Sequence, residues 1–122
     1  MSYLLDSCII IDHLRNHDAA TLFLRGAQRA AISQLTWIEV MVGADDAATE
    51  PGLRALLAGF AVLPVDDAVA EETVRLRRAR RLKLPDAIIF ATARVHGREL
   101  VTRNTKDFPP GTPGVVVPYQ LS

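Results

Sequence analysis

The sequence predicts a three-layer α/β/α protein with a small, mostly parallel sheet flanked by helices. Short apolar runs (Tyr3 to Leu5, Ala30 to Ser33, Val62 to Val65, Leu100 and Val101) alternate with longer stretches of helical character, the pattern of a layered α/β architecture. Length and composition agree: 122 residues, 49% hydrophobic but only 6% aromatic, suffice for one core and are too few for two. A single domain over residues 1–122 is therefore expected.

The first run ends at Asp6, and from Ser7 a helix is predicted with Ile9, Ile10, Ile11 and Leu14 as its apolar side. Asp6 thus stands at a strand-to-helix turn, where open α/β sheets bind ligands; a helix N-cap is the simpler alternative, and Ser7 would serve as well. Asp12 and Asp18 are expected to face solvent or to cap. Leu22, Phe23 and Ala27 mark a second helix over Ala19 to Gln28, and Ala30 to Ser33 a second strand.

In the following QLTWIEVMVGA segment, Trp37, Ile38, Val40, Met41 and Val42 surround Glu39. An ionised carboxylate among such neighbours is expensive unless something positive pairs with it. Thr36 to Glu39 also fits a capping box, which disappears if Ser33 is the cap. Asp45 to Gly52, with Pro51, is expected to be a polar connection, followed by a helix from Leu53 to Phe60 that would serve either as core or as a dimer face.

After the strand Val62 to Val65, Asp66 and Asp67 open a long helix, with Glu71 and Glu72 near its start and Val69, Thr73, Leu76, Ala79 and Leu82 as its apolar stripe. Arg75, Arg77, Arg78, Arg80, Arg81 and Lys83 cluster at its end, so the neutral chain has a basic second half. Local potential steers a polyanion even when net charge is zero, although a solvated helix face explains the same cluster. Then comes LPDAIIFATARVH: apolar residues on every side of the wheel predict a buried helix, with Asp86 at its entrance as a cap or as part of an acidic site, and a stop at His96 and Gly97. Leu100 and Val101 run into Thr102, Arg103, Asn104, Thr105, Lys106 and Asp107, where Asn104 to Asp107 would form a capped turn, and Val115 to Val117 would add an edge strand.

Asp6, Glu39, Asp86 and Asp107 each lie at a strand end or near a helix start. In a parallel sheet with right-handed crossovers those turns gather at one edge, so the four acids converge. Converging carboxylates raise one another's pKa unless a cation sits among them, and hard oxygen donors suit Mg²⁺ or Mn²⁺. An acidic pocket rimmed by arginines suits a phosphodiester. A receiver-like phosphoacceptor would also place acids at strand ends, but the order of motifs does not fit it. His13 and His17 have helical spacing but flank the helix end at Asn16, and are expected to have no metal or catalytic role.

Four segments taken together (LLDSCIIIDHL, AISQLTWIEVMVGA, LKLPDAIIFATARVHG and LVTRNTKDF) resemble, in order and across essentially the whole chain, the PIN-domain ribonucleases, and most closely the VapC-type toxins of bacterial toxin–antitoxin pairs. That resemblance implies a PIN-like fold and a Mg²⁺- or Mn²⁺-dependent endoribonuclease with Asp6, Glu39 and Asp86 as principal metal-site acids and Asp107 as a more variable fourth. It also implies support from Ser7, Thr102 and Asn104, hydrolysis by a metal-activated water leaving a 5′-phosphate and a 3′-hydroxyl, a cognate antitoxin and a homodimer. Cys8 departs from the pattern, where Asn or Ser is more usual, and is expected to be an inert buried thiol. Arg77, Arg78, Arg80, Arg81 and Arg103 are the expected contacts to RNA or antitoxin. A non-catalytic RNA- or protein-binding module on the same fold is the alternative. The lone cysteine, the early Asp6 and the lack of any apolar run near the roughly 20 residues of a membrane span point to the cytoplasm.

Overall fold

The computed structural model describes residues 2–44 and 47–121. Five strands, β1 (Tyr3–Leu5), β2 (Ala31–Ser33), β3 (Ala61–Leu63), β4 (Glu99–Val101) and β5 (Val115–Val116), form one parallel sheet in the order β3-β2-β1-β4-β5. Six helices flank it: α1 (Ser7–Leu14), α2 (Asp18–Gly26), α3 (Gln34–Val42), α4 (Glu50–Leu57), α5 (Asp67–Ala79) and α6 (Leu84–Val95).

Successive strand residues point to opposite faces, and the three central strands use both. Leu4, Ala31 and Leu100 pack on one side with Val69, Leu76, Ile89 and Phe90 of α5 and α6. Leu5, Ile32 and Val101 pack on the other with Ile9, Ile10, Val40 and Leu57 of α1, α3 and α4. None of these six strand residues has exposed surface, and each large one contributes about 1.5–3 kcal/mol by leaving water. The result is the expected three-layer arrangement. The chain leaves β1 toward β2 and β3 on one side, then returns to place β4 and β5 on the other. The order therefore reverses between β1 and β4, the switch point at which doubly wound sheets open a crevice.

Several local expectations are corrected. Helix α4 begins at Glu50 and takes Pro51 into its first turn, where the missing N–H has no intrahelical partner to lose. Its Leu57 is buried, while Leu53, Leu56 and Phe60 pack against the core. Asp45 and Asp46, the start of the expected connection, lie outside the described residues. Helix α5 stops at Ala79, so Leu82 reaches the core from the following turn, and Glu72 faces inward, paired with Arg75 and Arg94. Helix α3 is amphipathic and not enclosed: Val40 is buried, whereas Ile38 and Val42 are exposed. Strand β3 comes earlier than expected, and Val117 falls beyond β5. As predicted, α6 is the buried helix, ending at His96 with Gly97 at φ 63°, a left-handed conformation that favours glycine.

Candidate active site

Asp6 leaves β1 into the switch point. It is the N-cap of α1, accepting from the Ser7 N–H at 2.8 Å, so the capping expectation holds. Its other carboxylate oxygen accepts from the Thr102 hydroxyl, also at 2.8 Å, which ties the end of β1 to the end of β4. Burial drives the Asp6 pKa upward, offset in part by the Thr102, Ser7 and Cys8 hydrogen bonds.

Ser33 caps α3 through the Leu35 N–H. Glu39 consequently lies beyond the first turn, and the capping-box alternative falls. Its Oε1 is buried with no hydrogen-bond partner. Burial and then the Asp6 charge raise its pKa, against a lowering contribution from the Ser7 hydroxyl. One turn earlier on the same helix, the buried Thr36 hydroxyl is also unpartnered. The two other buried helical threonines, Thr73 and Thr92, bond to the carbonyls of Val69 and Ile88 four residues back. The sequence reading considered Thr36 only as a cap, although its spacing from Glu39 puts both on one helix face.

Asp86 is the third residue of α6 and complements its dipole, but the N-cap position belongs to Lys83 and carries no side-chain cap bond. Its pKa is pushed up to about 6, first by burial and then by the charges of Asp6 and Asp107. Asp107 is reached through a turn in which the Asn104 amide donates to its carboxylate at 2.8 Å, Asn104 Oδ1 accepts from the Asp107 N–H at 3.4 Å, and the Asn104 N–H donates to Thr102 Oγ1 at 3.0 Å. Asp6, Ser7, Cys8, Asp86, Arg103, Asn104, Thr105 and Lys106 line an open cleft of about 410 Å³. Cys8 lies against the Thr102 hydroxyl and accepts from the Arg103 N–H. Burial and the Asp6 charge push its thiol up to about 11, so it stays protonated at neutral pH.

The basic residues divide into two groups. Arg77, Arg78, Arg81 and Lys83 are exposed along the end of α5 and the turn after it. Arg80 instead turns inward, donating to the Asp107 carbonyl at 3.3 Å. Arg103 donates from Nε at 2.6 Å and Nη2 at 2.8 Å to Asp12, which also accepts from the Tyr119 hydroxyl at 2.8 Å. Asp12 is thus no surface residue; it is only 1% exposed. Burial alone would raise its pKa, but the Arg103 and Tyr119 hydrogen bonds and the Arg103 charge outweigh it and lower the value. The sequence reading missed this because the partners are remote in the chain. His13 bonds Thr21, at the contact of α1 and α2.

The donor chemistry fits a hard divalent cation. All four candidates are carboxylates; burial first, then the Asp6 charge at Glu39 and the Asp6 and Asp107 charges at Asp86, raise the pKa values of those two, and Glu39 keeps a buried oxygen without a partner. Among the described residues, no three His, Cys, Asp or Glu side chains are grouped so as to hold an ion by themselves. Mg²⁺ does not require that, because it usually keeps several waters and takes one or two carboxylates together with substrate phosphate oxygens.

Fold and site together define a three-layer α/β protein with an acidic crevice at the carboxyl edge of a parallel sheet. The family model for the PIN domain matches residues 3–109. Two relatives from Mycobacterium tuberculosis are similar over most of the chain: Ribonuclease VapC19, 34% identical over 119 residues (87% of this chain, 91% of the relative), and Ribonuclease VapC10, 36% identical over 114 residues (87% and 85%). A chain of a toxin–antitoxin complex from Klebsiella pneumoniae superposes with a TM-score of 0.91 at 46% identity, covering 98% of this chain and 99% of that one. FitAcB from Neisseria gonorrhoeae shares the fold at 24% identity, with a TM-score of 0.81 over 98% and 99% of the two chains. The chain belongs to the PIN domain family, in its VapC-type branch. None of its described helices is long and apolar enough to cross a membrane.

Proposed function

We propose that the chain is a metal-dependent endoribonuclease and the toxin of a VapBC-type pair. The observation that supports the reading is that Asp6 and Asp86 line one cleft at the switch point together with Asn104, whose amide holds the Asp107 carboxylate, while Glu39 keeps a buried oxygen without a hydrogen-bond partner. Asp6, Glu39, Asp86 and Asp107 would hold one or two Mg²⁺ or Mn²⁺ ions. When bound, such ions polarise the scissile phosphate and lower the pKa of the attacking water.

The chain's own side chains prepare that chemistry. Thr102 and the Ser7 N–H fix the two Asp6 oxygens in place, and Asn104 orients the Asp107 carboxylate. No protein nucleophile is required, and the protonated Cys8 thiol offers none. Arg77, Arg78 and Arg81, exposed beside the turn that leads into α6, suit the phosphates of a single-stranded or looped RNA. The similarity to the Klebsiella toxin–antitoxin chain supports a cognate antitoxin as the second partner, and a homodimer is proposed on the family resemblance.

The test is RNA cleavage by the purified full chain. Cleavage should require Mg²⁺ or Mn²⁺, leave 5′-phosphate and 3′-hydroxyl ends, and fall below detection in Asp6→Asn and Asp86→Asn proteins that remain folded. Undiminished cutting in excess EDTA, or cyclic-phosphate ends, would overturn the mechanism; RNA binding without cutting would favour a binding module.

A further inference from the structure

Residues 102–108 carry Asp107 to the site without helix or strand structure. Something other than a backbone ladder must hold that carboxylate beside other acids that repel it. We infer that Arg80 and Arg103 are positioning residues that clamp this segment from its two ends, and that their cationic groups serve the metal site through Asp107 rather than RNA.

At the near end, Arg103 grips α1. Its guanidinium meets Asp12 through two parallel N–H···O bonds, the fork geometry that a lysine cannot reproduce. Asp12 lies on the same helix that Asp6 caps, so one rigid element carries both the acid and the anchor. Tyr119, from the chain after β5, closes the anchor by donating to Asp12 Oδ2. The Arg103 N–H on Cys8 Sγ and the Thr102 hydroxyl on Asp6 add two further ties to the start of α1.

At the far end, Arg80 bonds the Asp107 carbonyl, and its guanidinium lies over the rings of Phe90 and Phe108 at 5.7 and 5.8 Å from their centroids. Phe108 is buried and meets Phe90 edge-to-face at 5.4 Å. The carbonyl of the acid and the side chain after it are therefore both fixed to the α5 end and to α6, which also bears Asp86. Between the two arginines, Asn104 sets the direction of the Asp107 carboxylate. Arg77, Arg78 and Arg81, by contrast, remain exposed.

The inference rests on the proposed reading that the acids hold a divalent cation, and the test separates the two. Mn²⁺ binding to the full chain is measured by calorimetry, and RNA cleavage is measured across a salt series, for Arg80→Gln, Arg80→Lys, Arg103→Lys, Arg78→Gln and Asp86→Asn. Positioning partners of metal ligands typically matter by about 10–100-fold in metal affinity or activity. Arg80→Gln and Arg103→Lys should weaken Mn²⁺ binding and lower kcat by about tenfold or more, with the KM for RNA and its salt dependence unchanged. Arg80→Lys, which keeps a cation and a donor, should recover part of the loss. Arg78→Gln should do the reverse, raising KM and flattening the salt dependence while Mn²⁺ affinity holds.

Wild-type Mn²⁺ affinity and kcat in Arg80→Gln and Arg103→Lys, or a change confined to KM and salt dependence, would overturn the clamp while leaving the nuclease reading intact. Should Arg103→Lys fail to fold, Arg80→Gln decides, because its loss strands no buried charge. If wild type and Asp86→Asn bind Mn²⁺ equally, the metal reading fails and the clamp inference fails with it.

Discussion

Asp86 and Asp12 are both carboxylates at least partly withdrawn from water, and their neighbours move them in opposite directions. The Asp86 pKa rises to about 6 because burial and two further acids disfavour its charge. As an acid that holds its proton more tightly when folded than when unfolded, it stabilises the fold as pH falls below about 6, and the cation-free protein loses stability as pH climbs through that window. Asp12 has a lowered pKa and the opposite sign: its contribution is present above the ordinary carboxylate range and is lost as pH falls through its folded value. Asp86→Asn should therefore raise the melting temperature of EDTA-treated protein at pH 7.5, with the advantage over wild type narrowing toward pH 4.5. An unchanged difference between the two proteins at both pH values would show that Asp86 does not hold its proton more tightly in the folded state. Asp6 was legible in the sequence because its cap and its strand end are local. Asp12 was not, because its partners are 91 and 107 positions away.

Helix α6 illustrates what an element contributes to the site. Apolar residues on all sides require burial, and Ala87, Ile89, Phe90, Ala91 and Ala93 are all in the core. A helix whose middle, Ala87 and Ile89 to Ala93, is buried cannot shift Asp86 without opening the core, which suits a carboxylate kept near others of like charge. The segment of residues 102–108 depends instead on point contacts, of which Phe108 is the largest buried one. Phe108→Ala should lower the folding free energy by about 3–5 kcal/mol, read as a shift in urea midpoint at unchanged slope. A loss below about 1 kcal/mol would mean that the ring does not anchor the segment. Most elements were legible because their periodicities are local. Their ends were less so: Pro51 fits a first turn as readily as a connection, and Leu82 extends the α5 stripe in sequence but packs from a turn in space.

Across the whole molecule, the strand order brings together acids from distant segments. β1 delivers Asp6, the turn beyond β4 delivers Thr102 and Asp107, and both lie where the order reverses. On the proposed reading a divalent cation relieves the repulsion among these acids, and a ligand that binds only the folded state stabilises that state by mass action. Mn²⁺ at about 100 times its dissociation constant should raise the folding free energy by about 2.7 kcal/mol, measured by denaturant titration at pH 7.5, and should do so far less in Asp86→Asn. Equal stabilisation of the two proteins would place the cation elsewhere.

The amino-acid sequence by itself determined the layers and most of the elements, and it singled out the four acids as candidates. Alternating apolar runs and helical periods are written over a few residues each, and strand ends in a parallel sheet gather at one edge whatever the details. Only the tertiary structure decided which charges are free. Arg77, Arg78, Arg80, Arg81 and Arg103 look alike in sequence, yet Arg80 and Arg103 turn inward to the Asp107 carbonyl and to Asp12. The physical reason is that a guanidinium's role is set by the acceptors within its reach, and those acceptors come from segments that only folding brings together.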